Sequence, residues 1–370
     1  MATTFDNTTP TSYNRMKEVK EFDESKMGVK GLSDSGITSI PRFFVQPPEL
    51  LSDLKRPSSK SSRYGIPVID LSSMDSSPLR RQKIMEQVKE AASTFGFFQV
   101  INHGVAISVM DETIAAIKAF HEQPHDVKSR YYKRDEMKGV MFASNIDLYR
   151  SKAAAWHDSL SAWMAPEPPC TEEIPEVCRK EVVAWETHVT AVAEKVMELL
   201  SEGLGLEKDK FKELSFLGNR VFAGNYYPYC PQPDLTVGIV PHTDPGMVTV
   251  LLQNGVEGLQ MKHGEEWVDV KPLHGGLIIN MGDFLQIVSN GEYKSIQHRV
   301  LANSSKEPRI SIVMFFNLAI WKGSGYYGPL PELLSPEKPA IYRDFTVQEF
   351  SDNFYNKGLD SKSLIDKIKI

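Results

Sequence analysis

The 370-residue chain carries 42 Lys plus Arg against 48 Asp plus Glu, a net charge of −6, and 41% hydrophobic residues. That balance belongs to an ordinary globular enzyme and, with no long basic block, argues against nucleic acid and anionic membrane as partners. Cys170, Cys178 and Cys230 show no metal-type spacing and are too few and odd in number for a disulfide framework; no apolar run reaches ~20 residues and no secretory pattern opens the chain, so a cytoplasmic monomer acting on a small molecule is expected.

Residues 1 to about 27 are polar and expected to be mobile. The stretch 28–45, GVKGLSDSGITSIPRFFV, predicts an irregular arm pinned by Phe43, Phe44 and Val45, and RPSSKSSRYG a linker. IPVIDL at 66–71 alternates like a strand. In PLRRQKIMEQVKEAASTFG the residues Ile84, Val88, Ala91, Ala92 and Phe95 recur at helical spacing, and Gly96 supplies a stop. FFQVINH predicts a short strand whose His103 serves the following turn. A second helix is expected over 108–132, with Val109, Met110, Ile114, Ile117 and Phe120 inward and His121 and His125 solvated or capping.

Over 138–169 the periodicity fades and aromatics gather, Phe142, Tyr149, Trp156 and Trp163 among them, which fits a binding wall or core strands equally. Val182, Trp185, Val189, Val192, Val196 and Leu199 with Leu200 then mark the longest helix, 178–203. From Val221 short strand-like runs separated by NG and GG turns predict an α+β, mainly β fold, a jelly roll with helices packed on one side. A helix near 346–355 precedes a polar tail. The organisation expected is an arm and linker (1–65), a helical N-terminal part (66–215), a jelly-roll core (216–330) and a helical closing segment (331–370).

The chemistry concentrates in IVPHTDPGMVT, residues 239–249. His242 and Asp244 stand two apart, and in extended chain such side chains leave on one face. Two imidazoles and one carboxylate hold Fe(II) with three positions open. The second imidazole is available at His298, in SIQHRVLAN. Arg309 and Ser311, in PRISIVMFF, again share a strand face, and a guanidinium forks onto a carboxylate, so the pair suits the far end of a dicarboxylate. A His-x-Asp pair alone is common; in order with His298 and Arg-x-Ser it is a demanding combination.

The set HTD, H, RIS, with NYYPYCPQP at 225–233, IPVIDL at 66–71 and GFFQVINHG at 96–104, resembles the plant Fe(II)/2-oxoglutarate-dependent dioxygenases over nearly the whole chain. The arm and FHEQ at 120–123 resemble the branch of aminocyclopropane-carboxylate-oxidase homologues, which includes desacetoxyvindoline 4-hydroxylase and the benzoxazinoid-glucoside hydroxylases. The resemblance implies the double-stranded β-helix, Fe(II) on His242, Asp244 and His298, 2-oxoglutarate as cosubstrate with O2, and ascorbate in support. It implies that the C5 carboxylate of 2-oxoglutarate meets Arg309 and Ser311, with Tyr227 and Asn225 adding hydrogen bonds. The implied reaction is hydroxylation of a C–H bond in a plant specialised metabolite (alkaloid, benzoxazinoid or similar), coupled to decarboxylation of 2-oxoglutarate to succinate. It also places Met141, Phe142, Asn145 and Trp163 on the pocket wall, and an apolar pocket around the reacting carbon adds Phe284 and Phe316. Two other readings share the scaffold. A true ascorbate-dependent aminocyclopropane-carboxylate oxidase is one, from which the long arm and Asn225 depart. An inert ligand sensor is the other, and it has no need of all five polar groups together.

Overall fold

Period-two alternation in the C-terminal half builds two sheets with a cavity between them. The computed structural model describes residues 13–54, 65–134, 138–318, 325–346, 348–350, 352 and 365–370. In chain order its strands are β1 Val68–Asp70, β2 Phe97–Ile101, β3 Val140–Ala143, β4 Asp158–Ala165, β5 Asn219–Tyr227, β6 Val237–His242 and β7 Val248–Gln253. There follow β8 Leu259–His263, β9 Glu266–Asp269, β10 Leu277–Met281, β11 His298–Leu301, β12 Arg309–Asn317, β13 Tyr326–Tyr327 and β14 Phe345–Thr346. One sheet has the order β1-β2-β10-β7-β12-β5-β4-β3, a second β6-β11-β8-β9, and β13 pairs with β14. This is the mainly β jelly roll with flanking helices that the pattern of elements predicts.

Strand β12 lies between β5 and β7 and puts Arg309 opposite Tyr227 and Ser311 opposite Asn225. Its alternate residues Ile310, Ile312, Met314 and Phe316 are buried in one core with Ile117, Trp185, Val189 and Val196 of the helices. One face of the large sheet therefore packs on helices, each such side chain contributing about 1.5–3 kcal/mol, and the other face is free for the cavity.

The helices form where spacing and caps agree. Ser77 Oγ accepts from the Arg80 backbone N–H at 3.2 Å, Pro78 occupies the first turn, and Gly96 at φ +62° reverses the chain after the helix Pro78–Thr94. Helix Arg179–Gly203 buries Val182, Trp185, Val189, Val192 and Val196 as the spacing predicts. Gly224 of β5 lets helix Ile107–His121 come close: a Cβ there would lie 2.9 Å from Ile117.

Four expectations are corrected. The helix expected over 108–132 ends at His121, because Pro124 lacks the N–H that a continuing helix needs; a short helix, His125–Lys128, and a 3-10 turn, Ser129–Tyr131, follow. His121 is fully buried rather than solvated, its Nε2 2.9 Å from the Gly224 carbonyl, whereas His125 is exposed. The mobile arm contains helix Arg15–Ser25, capped by Asn14, with Val19 and Phe22 buried; residues 1–12 lie outside the described residues. Of the helix expected near 346–355, Thr346 belongs to β14, residues 348–350 are helical, and most of the remainder lies outside the described residues.

Candidate active site

His242 closes β6 and His298 opens β11, and the two are direct cross-strand partners. Their ring centroids are 4.2 Å apart. Asp244 lies just past the end of β6, where its Oδ1 sits 3.7 Å from His242 Nε2 and 3.6 Å from His298 Nε2. One ligand atom from each of the three fits within 4.8 Å of the others.

The surroundings fix which atoms face inward. Thr249 Oγ1 donates to Asp244 Oδ2 at 2.6 Å and Asn280 Nδ2 donates to the same oxygen at 2.7 Å, leaving Oδ1 toward the imidazoles. His242 Nδ1 lies 2.8 Å from the Val240 carbonyl and His298 Nδ1 3.3 Å from that of Ile296. A carbonyl only accepts, so each Nδ1 carries a proton and each Nε2 is turned toward the shared point. Burial alone would push the Asp244 carboxyl up; the facing His298 and His242 and the bonds from Thr249 and Asn280 outweigh it and hold the group below its ordinary value. Burial and the neighbouring His298 bring His242 down to about 4, the Asp244 charge opposing them, so its imidazole is neutral at physiological pH. Two imidazole nitrogens and one carboxylate oxygen are the donor set that suits Fe(II).

Beyond the cluster, Arg309 is completely buried. Its Nη2 donates to Gln253 Oε1 at 2.9 Å, and its guanidinium carbon lies 4.9 Å from the centre of the Tyr227 ring. Among the described residues Nε and Nη1 meet no hydrogen-bond partner of good geometry. Burial lowers the Arg309 pKa, Tyr227 partly offsetting it, yet a guanidinium remains charged in such a setting. A buried cation with two unpaired N–H groups is costly unless an anion completes it, and a carboxylate fits. Burial raises the Tyr227 pKa against the pull of Arg309, so its phenol keeps its proton and can donate.

One cavity is lined by His242, Asp244 and His298 and reaches the Tyr227 ring against which Arg309 lies. Met141, Asn145, Trp163 and Phe284 line it, as do Asn225, Tyr227 and Ser311. Phe142 and Phe316 do not, and both are corrected: they are fully buried in the helix-side core, Phe142 against Phe120 and Tyr132. Strand alternation puts their neighbours Ala143 and Phe315 at the cavity instead. Reasoning from sequence also missed Thr249 and Asn280, and the cavity residues Val221, Val313 and His157, whose ring stacks on Tyr227 at 5.5 Å. Counting by twos from Arg309 and from Asn225 finds Val313, Phe315 and Val221; no sequence signal marks Asn280. His103, as expected, serves a turn, its Nε2 3.1 Å from the Gly275 carbonyl.

Comparison with known proteins bears on this site directly. Residues 218–318 match the 2OG-Fe(II) oxygenase superfamily, and residues 66–176 match the N-terminal domain described as non-haem dioxygenase in morphine synthesis. A 1-aminocyclopropane-1-carboxylate oxidase homolog of Solanum lycopersicum is 43% identical over 361 residues, 97% of this chain and 98% of that protein. The chain belongs to the 2OG-Fe(II) oxygenase superfamily. Homolog 11 of Arabidopsis thaliana is 45% identical to this oxygenase over 97% of the chain and 98% of the relative. Among solved structures, JOX2 in complex with 2OG, Fe and JA superposes with a TM-score of 0.79 at 31% identity, over 93% of this oxygenase and 97% of that chain. A 2-oxoglutarate complex of Arabidopsis thaliana DAO1, a dioxygenase for auxin oxidation, superposes with a TM-score of 0.61 at 27% identity, over 74% and 99%. The oxygenase thus uses Fe(II) and 2-oxoglutarate, and none of its described helices is long and apolar enough to cross a membrane.

Proposed function

We propose that this oxygenase hydroxylates a C–H bond of a small plant specialised metabolite, with His242, Asp244 and His298 holding the iron and Arg309 the far carboxylate of 2-oxoglutarate. The observation that carries the reading is the fully buried Arg309, two of its guanidinium nitrogens without a partner among the described residues, lying against the Tyr227 ring that lines the same cavity as the His, Asp and His cluster. JOX2, solved in complex with 2OG, Fe and JA, supports it by binding a further ligand together with cosubstrate and metal.

In this reading each residue has one task. Asp244 would supply the single negative charge and His242 and His298 the nitrogens that hold Fe(II), which when bound would take up cosubstrate and oxygen. Bound iron with 2-oxoglutarate and O2 supplies the oxidation of the C–H bond, coupled to loss of CO2 and formation of succinate. Arg309 takes a carboxylate through charge-assisted bonds, while the Ser311 hydroxyl and the Tyr227 phenol, on the same face of β12 and β5, add donors, with Asn225 beside Ser311. Met141, Trp163 and Phe284 give the organic substrate an apolar wall that excludes water and orients the carbon to be oxidised.

The test is anaerobic. Fe(II) and then 2-oxoglutarate are added to the purified protein, and the visible charge-transfer band of an iron-chelated 2-oxo acid is sought. With the band present, plant metabolites are screened for stimulated succinate release. Iron binding without a band points to the ascorbate-dependent oxidase, and no iron binding to a ligand sensor; either result overturns the proposal.

A further inference from the structure

We infer that the N-terminal helix Arg15–Ser25 holds one wall of the substrate cavity in place, with Asp23 and Arg15 as positioning residues for segment 144–156. The inference rests on the reading that the cavity beside the metal cluster receives the organic substrate. Segment 144–156 joins β3 to β4, and Asn145, Ile146, Asp147, Ser151, Ala153 and Ala155 within it line the cavity. It contains no strand or helix; its turns satisfy some backbone carbonyls internally, and those of Ser144, Asn145, Leu148 and Ser151 take side-chain donors from outside it.

Two arginines supply them. Arg134 donates from Nη1 to the Asn145 carbonyl and from Nη2 to that of Ser144, both at 2.6 Å. Arg15 Nη2, from the arm, donates to the carbonyls of Leu148 at 3.0 Å and Ser151 at 2.9 Å. Asp23, also from the arm, fixes Arg134: its Oδ1 accepts from Arg134 Nε at 2.5 Å and from the Tyr132 hydroxyl, and its Oδ2 accepts from the Tyr149 hydroxyl at 2.8 Å. Neither Arg15 nor Asp23 is among the residues lining the cavity.

Packing follows the same path. Val19, Phe22, Phe43 and Phe44 of the arm share a core with Leu148, Ala154 and Trp156, and the Phe44 and Trp156 rings lie 4.9 Å apart. From the cavity side Asn145 closes the segment on itself, donating to the Ala155 carbonyl at 2.8 Å and accepting its N–H at 2.7 Å. A second tether ties the arm to β4, where Asp158 accepts from the Val29 and Lys30 N–H groups at 2.7 and 2.8 Å. Gly28 makes that contact possible: at φ +70° a Cβ would stand 2.6 Å from Asp158 Oδ2. The segment is thus clamped between arm and cavity, and the substrate meets a surface whose shape is set from behind.

The experiment is hydrogen–deuterium exchange on the full chain, comparing wild type with Asp23→Asn, Arg15→Ala and Arg15→Lys. We expect amides of 144–156 to exchange about tenfold faster or more in the first two variants, with β5 and β12 at wild-type rates and partial recovery in Arg15→Lys, which keeps a donor. The affinity for 2-oxoglutarate with Fe(II) should stay within about twofold of wild type. Unchanged exchange in 144–156 overturns the inference, and so does acceleration spread evenly over both sheets, which marks plain destabilisation. Failure of the wild type to bind 2-oxoglutarate would instead overturn the reading of the cavity, a result the exchange pattern keeps separate.

Discussion

Truncating Arg309 to Ala removes a fully buried cation from between Gln253 and the Tyr227 ring. Because charge-assisted bonds to a carboxylate contribute about 1.5–3 kcal/mol, the variant should bind 2-oxoglutarate roughly 10- to 150-fold more weakly with iron affinity unchanged. An anaerobic titration measures both, and undiminished 2-oxoglutarate affinity would remove Arg309 from the site. His121 bears on stability instead. Burial takes its pKa down to about 3, the Gly224 carbonyl opposing, while the unfolded chain titrates near 6.5. Between those values the unfolded state holds the extra proton. Stability is therefore complete above about pH 6.5 and falls with pH below it, by up to about 1.4 kcal/mol per unit. His121→Gln should flatten the dependence of Tm on pH between about 6.5 and 5; parallel curves for variant and wild type would refute the assignment.

Strand β12 shows most plainly what the sequence could and could not tell. Its start was legible, because Arg309 and Ser311 are polar exceptions before an apolar run and stand two apart. Its middle, IVMFF, is apolar on both faces, so composition gives no reason to prefer Phe315 or Phe316 for the cavity. Alternation anchored on Arg309 decides it, and a prediction follows. Phe316→Ala should cost about 3–5 kcal/mol in chemical denaturation and leave 2-oxoglutarate binding intact. Phe315 is only partly buried, so Phe315→Ala should cost less and act on the substrate side of the cavity; equal costs would reject the division of faces. The His242, Asp244 and His298 cluster was legible for a different reason, since residue type and order survive without geometry. The arm helix was not: Val19 and Phe22 are few among charged residues, and their partners Phe43, Phe44 and Trp156 are far along the chain.

In the whole molecule, the groups of the proposed site come from β6, β11 and β12 and from the loop that carries Asp244, elements of both sheets. Filling the site should stabilise the chain by mass action, about 2.7 kcal/mol at a ligand concentration 100 times Kd. The corresponding rise in Tm with Fe(II) and 2-oxoglutarate should shrink in Arg309→Ala, and an equal rise in both proteins would contradict the proposed site. The large sheet also divides labour between its faces, with Phe222, Ile312, Met314 and Phe316 toward the helices and Val221, Ala223, Val313 and Phe315 toward the cavity. Adjacent positions in the gene thus answer to different selective demands. A library randomised over the cavity quartet should yield mostly soluble, folded variants with altered substrate range, and one over the helix quartet mostly insoluble protein. Diversification of chemistry in such a chain proceeds by changing every second codon of a strand while its neighbours stay as they are.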